Sequence, residues 1–177
     1  MNANPRENVS PENPAFAHRL YSMIEARLLK YQHYAPWADA VIVRSASPPR
    51  WVLDLTLTKY IPKAAEIAHG FAMERAGEGM TLTWDQAVDD FVAATFLRYK
   101  RREISWATCL EECGKEADSN GGRNECEYFY SMLTEYEDSN FAEAIELRQN
   151  ELFLREYSDV VDSVRRTYDG VLAAKPL

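Results

Sequence analysis

All three cysteines of the chain lie in the stretch CLEECGKEADSNGGRNECEYFY, residues 109–130, and they are the first candidates for chemistry. Cys109 and Cys113 are four residues apart, so they share a face if the stretch is helical. A structural zinc site takes four ligands, and the fourth would have to be one of three distant histidines. A nucleophilic thiol needs a lowered pKa, whereas the neighbouring Glu111 and Glu112 would raise it. We therefore predict that the cysteines are reduced core residues.

The segment EIAH places Glu66 three residues before His69, as in the Glu-x-x-His motifs of di-iron helical bundles. Such a centre takes two of these motifs and two further glutamates, because two divalent cations need several carboxylates. The chain has three histidines and no second motif. We interpret the match as accidental and predict no metal and no cofactor.

Pairs of carboxylates three or four residues apart could instead hold Mg²⁺, as they do in all-α nucleotide pyrophosphatases. On a helix such pairs converge on one face and can share a hard cation. No lysine-bearing stretch for a phosphate accompanies them, and 28 acidic residues produce such spacings by chance. We keep a Mg-dependent nucleotide phosphohydrolase as the alternative function and assign no catalytic residue. The pairs are formed by Glu111 and Glu112 with Glu116, by Glu143 with Glu146, and by Asp159 with Asp162.

Acidic residues are concentrated in the second part of the chain. Residues 1–102 carry 13 basic and 11 acidic side chains, whereas residues 103–177 carry 7 basic and 17 acidic ones. A surface of one sign attracts the opposite charge and repels polyanions, so we expect a basic protein as partner and no nucleic acid. Tyrosine contributes contact area to protein interfaces, and carboxylates steer the encounter. The predicted partner-binding side chains are Glu111, Glu112, Glu116, Asp118, Glu127, Tyr128, Glu135 and Asp138.

The elements that carry these residues are predicted from apolar periodicity, which is helical along almost the whole chain. A first stripe runs from Phe16 to Tyr31. Ser47 followed by Pro48 predicts the cap and first residue of another helix, and Pro62 predicts the start of the next.

The clearest helix start is TWDQ, where Thr83 and Gln86 fit a capping box and Trp84 opens an apolar stripe. Two further helices are predicted at about 105–117 and 123–137, on either side of a glycine pair, so the cysteine-containing stretch reads as a helical hairpin.

The last helical segment begins near residues 138–140, and its apolar positions start with Phe141. Its apolar stripe changes face near Gln149-Asn150, and the simplest account is a bend or break there, with a helix buried on two sides as the alternative. The resulting prediction is an all-α, compact single-domain bundle of about six or seven helices over residues 15–177, preceded by a flexible arm over residues 1–14.

No stretch approaches the roughly 18 apolar residues that cross a bilayer, and no basic segment followed by an apolar one opens the chain. An odd number of cysteines fits a reducing compartment. We expect a cytoplasmic protein without a membrane partner, and self-association is compatible with the sequence.

Two segments resemble small helical bacterial immunity proteins that are encoded beside polymorphic or contact-dependent toxins. They are FLRYKRREISWATCLEECGKEADSNGGRNECEYFYSMLTEYE and, upstream, PPRWVLDLTL. The resemblance implies stoichiometric binding to a toxin domain without catalysis. Together with the charge distribution, it predicts an immunity protein that blocks a basic toxin through its acidic C-terminal part. A nucleic-acid-mimicking inhibitor is a further alternative.

Overall fold

A computed structural model describes residues 9–76, 82–119 and 125–174, and all regular structure in these ranges is helical. The predicted all-α class is confirmed. The predicted number of helices is too low, because the described ranges contain eight. They are α1 (Pro14–Glu25), α2 (Tyr31–Arg44), α3 (Arg50–Thr56), α4 (Ile61–Arg75), α5 (Trp84–Lys100), α6 (Trp106–Ser119), α7 (Glu125–Asp138) and α8 (Glu143–Ala173). None of these helices is long and apolar enough to cross a membrane.

Helix α2 is not among the helices predicted from the sequence patterns. It contains Pro36 in its interior, and proline removes one backbone hydrogen bond there. Buried Tyr34 and Trp37 hold the helix in place, and the hydroxyl of Tyr34 donates to the Thr58 carbonyl oxygen at 2.6 Å. Tertiary packing therefore outweighs the local effect of the proline.

Two predicted helix boundaries are wrong. Helix α1 does not continue to Tyr31, because Arg27 takes a left-handed conformation (φ 58°) and ends the helical run. Helix α3 begins at Arg50 with Pro49 in the cap position, so Ser47 does not cap it.

Other local predictions are confirmed. Pro62 lies in the first turn of α4. The capping box of α5 is present. The backbone N–H of Gln86 donates to Thr83 Oγ1, and the backbone N–H of Thr83 donates to Gln86 Oε1, both at 3.2 Å. Trp84, predicted to open the apolar stripe, is instead 55% exposed.

One cluster of buried side chains has members from every one of the eight helices. Phe96 of α5 stacks on Phe153 of α8 with ring centroids 4.3 Å apart, and Trp106 and Phe129 add rings from α6 and α7. Helix α8 therefore lies against most of the others.

Helix α8 is continuous through Gln149 and Asn150, so the predicted break is absent. Burial on two sides is absent as well, because Ala144 and Leu152 of the first predicted stripe are exposed and the buried residues share one face. Gln149 and Asn150 are both buried although they are polar. Over 31 residues the helix spans about 46 Å, which lets its first part contact α7 and its second part contact α2 and α5.

Residues 1–8 of the predicted arm lie outside the described residues. From Val9 onward the chain is attached to the domain, because Val9 packs against the core and beside Gly170 of α8. The indole N–H of Trp51 donates to the Pro11 carbonyl oxygen at 3.0 Å.

Candidate interaction surface

Helices α6 and α7 form the predicted hairpin. A Cβ atom on Gly114 would lie 2.7 Å from Cε1 of Tyr130, so a glycine is needed for this close approach. Gly114 stands five residues before the end of α6, and Tyr130 stands five residues after the start of α7. The two helices are therefore antiparallel, and their outer faces form one side of the molecule.

Gln149 of α8 holds the hairpin in place. Its side-chain oxygen accepts from the Trp106 indole N–H at 2.8 Å, and its amide nitrogen donates to the Met132 carbonyl oxygen and to Glu135 Oε2, each at 2.9 Å. A fully buried side chain thus joins α6, α7 and α8 with its polar groups satisfied.

A carboxylate reinforces the same junction. Glu146 accepts from the hydroxyl of Tyr99 and from the hydroxyl of Tyr136, each at 2.5 Å. Burial and this neighbouring carboxylate raise the pKa of Tyr136 to about 12, so the tyrosine stays protonated and can donate. The outer face of the hairpin is therefore carried by a well-fixed scaffold.

The exposed charge of the hairpin is strongly one-sided. Among the described side chains of α6 and α7, six carboxylates are exposed and Lys115 is the one exposed base. We call these six carboxylates the hairpin surface; they belong to Glu111, Asp118, Glu127, Glu135, Glu137 and Asp138.

Some of the predicted partner-binding residues take part in the fold instead. Glu112 is half-buried and accepts from Arg98 Nη1 at 2.8 Å, and the same nitrogen donates to the Ala26 carbonyl oxygen. Glu116 is also half-buried and lies near Tyr21 of α1, whose pKa is raised by burial and by the nearby carboxylates. These two glutamates face α1 and α5 and are separated from the hairpin surface.

The other predicted residues lie on the outer side of the hairpin or at its margin. Asp118, Glu127 and Asp138 are exposed, and no described residue pairs with them. Glu111 is exposed and forms an ion pair with Lys115. Tyr128 is half-buried at the edge facing α8, where burial and Glu156 raise its pKa.

Glu135 combines both roles. It is exposed, forms an ion pair with Arg148 and accepts the hydrogen bond from Gln149. These two hydrogen bonds hold the pKa of its carboxyl below the usual range. Glu127 and Asp138 are 11 residues apart on α7, or about 16 Å, so the carboxylates form an extended surface and no single binding point.

One exposed aromatic residue beside this surface was not predicted from the sequence. Phe141 was expected to begin the apolar stripe of the last helix, but it precedes α8 and is 53% exposed. It has a left-handed backbone (φ 60°), as does Asn140 before it (φ 55°), and its ring packs edge-on against Tyr136 at 5.3 Å. A bulky residue in this conformation is unusual. Exposed Leu147 lies one to two turns further along the chain.

The cysteines are placed as predicted. Cys109 and Cys113 are fully buried, Cys126 is half-buried against the core, and all three are free thiols. Burial first, and then the neighbouring Cys109 thiol and Glu112, raise the pKa of Cys113 well above its ordinary value.

Several carboxylates of the rejected and alternative metal sites have protein partners. Glu66 pairs with Lys63 at 2.9 Å, whereas His69 packs its ring on Tyr21. Glu146 accepts from two tyrosines, and Asp162 pairs with Arg165 at 2.9 Å. Within the described ranges, no group of three or more His, Cys, Asp or Glu side chains is arranged to hold a metal ion.

Comparisons with protein-family models, with curated proteins and with solved structures give no match for this chain.

Proposed function

We propose that this protein binds a basic protein through the hairpin surface, and that the partner is a toxin domain that it neutralises. The observation that carries the proposal is the charge of α6 and α7, where six exposed carboxylates stand against one exposed base among the side chains that the structure describes. Such a field steers a basic partner and can raise the association rate by one to three orders of magnitude. The toxin as partner rests on the resemblance to immunity proteins.

Exposed Phe141 supplies what carboxylates alone lack. Aromatic side chains carry much of the free energy of protein–protein binding, and surrounding polar groups orient the complex. Phe141 follows directly on the acidic end of α7, where Glu137 and Asp138 are exposed. The expected contact is therefore an aromatic anchor beside a row of carboxylates. Its length of at least 16 Å along α7 suits an interface of about 800 Å² per partner.

The experiment begins with affinity capture of the partner from producing cells and a co-expression assay, in which the protein should abolish the toxicity of the captured partner. Association and dissociation rates are then measured at several salt concentrations. Changing Asp118, Glu127 and Asp138 together to Lys should slow association at least tenfold and flatten its dependence on salt. These positions are chosen because none of them takes part in the Gln149 and Glu146 junction.

The matched control reverses three exposed acids of the first part of the chain, Asp39, Glu66 and Glu74. This variant should associate within about twofold of the parent protein. Phe141→Ala should act differently from both, mainly by speeding dissociation, because a buried aromatic anchor contributes after the encounter. If the triple Lys variant on the hairpin binds as fast as the control, the carboxylates serve only solubility and the proposal is wrong.

A further inference from the structure

A cavity of about 380 Å³ with polar and apolar lining lies between α1, α5 and α8, away from the hairpin surface. This volume is in the range of small-molecule sites, roughly 300–1,000 Å³. Three apolar side chains, including Leu82 and Val160, line part of it. The polar lining consists of His18, Arg19, Asp89, Asp90, Asp159 and Ser163 together with Gln86.

The one basic side chain in the lining is already neutralised. Arg19 Nε donates to both oxygens of Asp90, at 3.1 and 3.2 Å, and Nη1 donates to Thr167 Oγ1 at 3.4 Å. Asp90 is only 5% exposed; burial raises the pKa of its carboxyl, and Arg19 offsets part of that effect. The carboxylate of Asp159 is therefore charge in excess of this pair. Asp159 has no partner among the described residues.

His18 is the group that calls for a ligand. It is 2% exposed, and its Nε2 atom is buried without a hydrogen-bond partner among the described residues. An unsatisfied buried polar atom costs about 1–3 kcal/mol, and such atoms in native structures need an explanation. Burial, His69 and Arg19 lower the pKa of His18 to about 4, so the imidazole is neutral at pH 7 and one of its nitrogens is an acceptor.

We propose that this cavity binds an organic cation with N–H donors, a guanidinium or a primary ammonium group. Asp159 supplies the opposite charge, neutral His18 supplies an acceptor, and Leu82 and Val160 cover an aliphatic stem. Two sources provide this chemistry: a free alkylamine or alkylguanidine, and an arginine or lysine side chain of a protein partner.

The test uses a matched pair of probes, n-butylguanidinium and its uncharged analogue n-butylurea, titrated into the whole protein by calorimetry and by ¹H–¹⁵N correlation spectra. The cation should bind at one equivalent and shift resonances of α1, α5 and α8, whereas the urea should bind at least tenfold more weakly. Asp159→Asn should weaken binding of the cation about tenfold or more. Asp162→Asn removes a carboxylate from the same helix outside the cavity, and it should change the affinity less than twofold.

A capped Gly-Arg-Gly peptide separates the two sources. Binding of the peptide at the same resonances assigns the cavity to a partner's side chain, and binding of butylguanidinium alone assigns it to a free small molecule. His18→Phe fills the position of the acceptor and should also abolish cation binding, with helix content checked by circular dichroism. The proposal fails if no saturable binding is seen, if the urea binds as well as the cation, or if Asp162→Asn and Asp159→Asn lose affinity equally.

This site does not depend on the proposed function. The triple Lys variant of the hairpin surface should lose its protein partner yet bind butylguanidinium like the parent. Failure of the cavity proposal and failure of the hairpin proposal therefore give different results.

Discussion

Two buried polar side chains at helix α8, Gln149 within its first part and His18 facing its second part, differ in whether their hydrogen bonds are satisfied. In the first part, Gln149 has every polar group of its side chain paired with α6 or α7. Facing the second part, His18 lines a cavity with Asp159 and Ser163, and its Nε2 has no partner. A satisfied buried side chain such as Gln149 helps to specify one arrangement of helices, whereas an unsatisfied one, such as His18 or the Oδ1 of Asn150 beside Gln149, is costly. The contrast therefore concerns the two side chains Gln149 and His18.

The first part of the chain and helices α6 to α8 differ in exposed charge. Among the described residues up to 102, seven exposed acids stand against ten exposed bases; in α6, α7 and α8, twelve exposed acids stand against five. Only Asp90 and Arg98 are buried among the described acidic and basic residues. Because the core takes up almost no charge, an imbalance along the sequence has to appear as an imbalance on the surface.

The largest expected effect tests the hydrogen bonds of Gln149. Gln149→Leu keeps the approximate volume but leaves the Trp106 indole N–H unpaired in the core and removes the hydrogen bonds to the Met132 carbonyl oxygen and to Glu135. We expect the free energy of unfolding to fall by about 3 kcal/mol, since an unsatisfied buried group costs about 1–3 kcal/mol and each lost hydrogen bond adds to it. Urea denaturation measures it.

The control for this change is Gln32→Leu, at an exposed position of α2, which should stay within about 0.5 kcal/mol of the parent. Equal losses for the two variants would mean that the Gln149 hydrogen bonds do not hold the hairpin.

A smaller effect distinguishes the close approach of two helices at Gly114 from the open space around Gly70. Gly114→Ala places a methyl group 2.7 Å from the Tyr130 ring. Overpacking costs about 1–3 kcal/mol, and the gain in helix propensity returns up to about 1 kcal/mol. The net expectation is a loss of about 1–2 kcal/mol, measured as a lower urea midpoint.

Gly70→Ala in α4 is the matched substitution, because a Cβ at Gly70 meets nothing within 4 Å. It should stabilise the protein by about 1 kcal/mol. If both substitutions shift the midpoint in the same direction, the close approach of α6 and α7 at Gly114 is not a constraint on the fold.

How far the sequence predicted these features depends on the range of the interactions involved. Helix class, the capping box at Thr83 and the hairpin follow from residues within a few positions of each other, and they were predicted correctly. The end of α1 at Arg27 and the exposed Phe141 depend on left-handed backbone conformations that no local residue type demanded. Gln149 was visible in the sequence only as a polar residue where the predicted apolar stripe changes face. That pattern does not indicate its buried hydrogen bonds to Trp106, Met132 and Glu135.

The candidate sites show the same limit. The acidic surface was predictable from charge counts alone. Glu112 accepts from Arg98, which also donates to the Ala26 carbonyl oxygen, so its position depends on how three separate parts of the chain meet. The cavity at His18 joins α1, α5 and α8, and the two of these helices nearest in sequence, α5 and α8, are 43 residues apart. Patterns within single helices carry no information about such meetings.

The smallest expected effect tests, through the pH dependence of stability, whether buried His18 is held neutral. His18 has a pKa of about 4 in the folded protein against an ordinary value of 6.5, so between these values the unfolded chain binds a proton that the folded one does not. By linkage, its contribution to stability is fully present above pH 6.5 and is lost as the pH falls toward 4. Because His69, Arg19 and the aspartates of the cavity are charged or polar groups near His18, the informative quantity is the difference in unfolding free energy between the parent and a variant without His18. The urea-derived free energy of the parent minus that of His18→Phe should fall by at least about 1 kcal/mol between pH 7 and pH 4, because one unit of pKa difference corresponds to about 1.4 kcal/mol. A difference that stays constant over this range would show that His18 is not held neutral by its surroundings, and the acceptor assigned to it in the cavity would be lost with it.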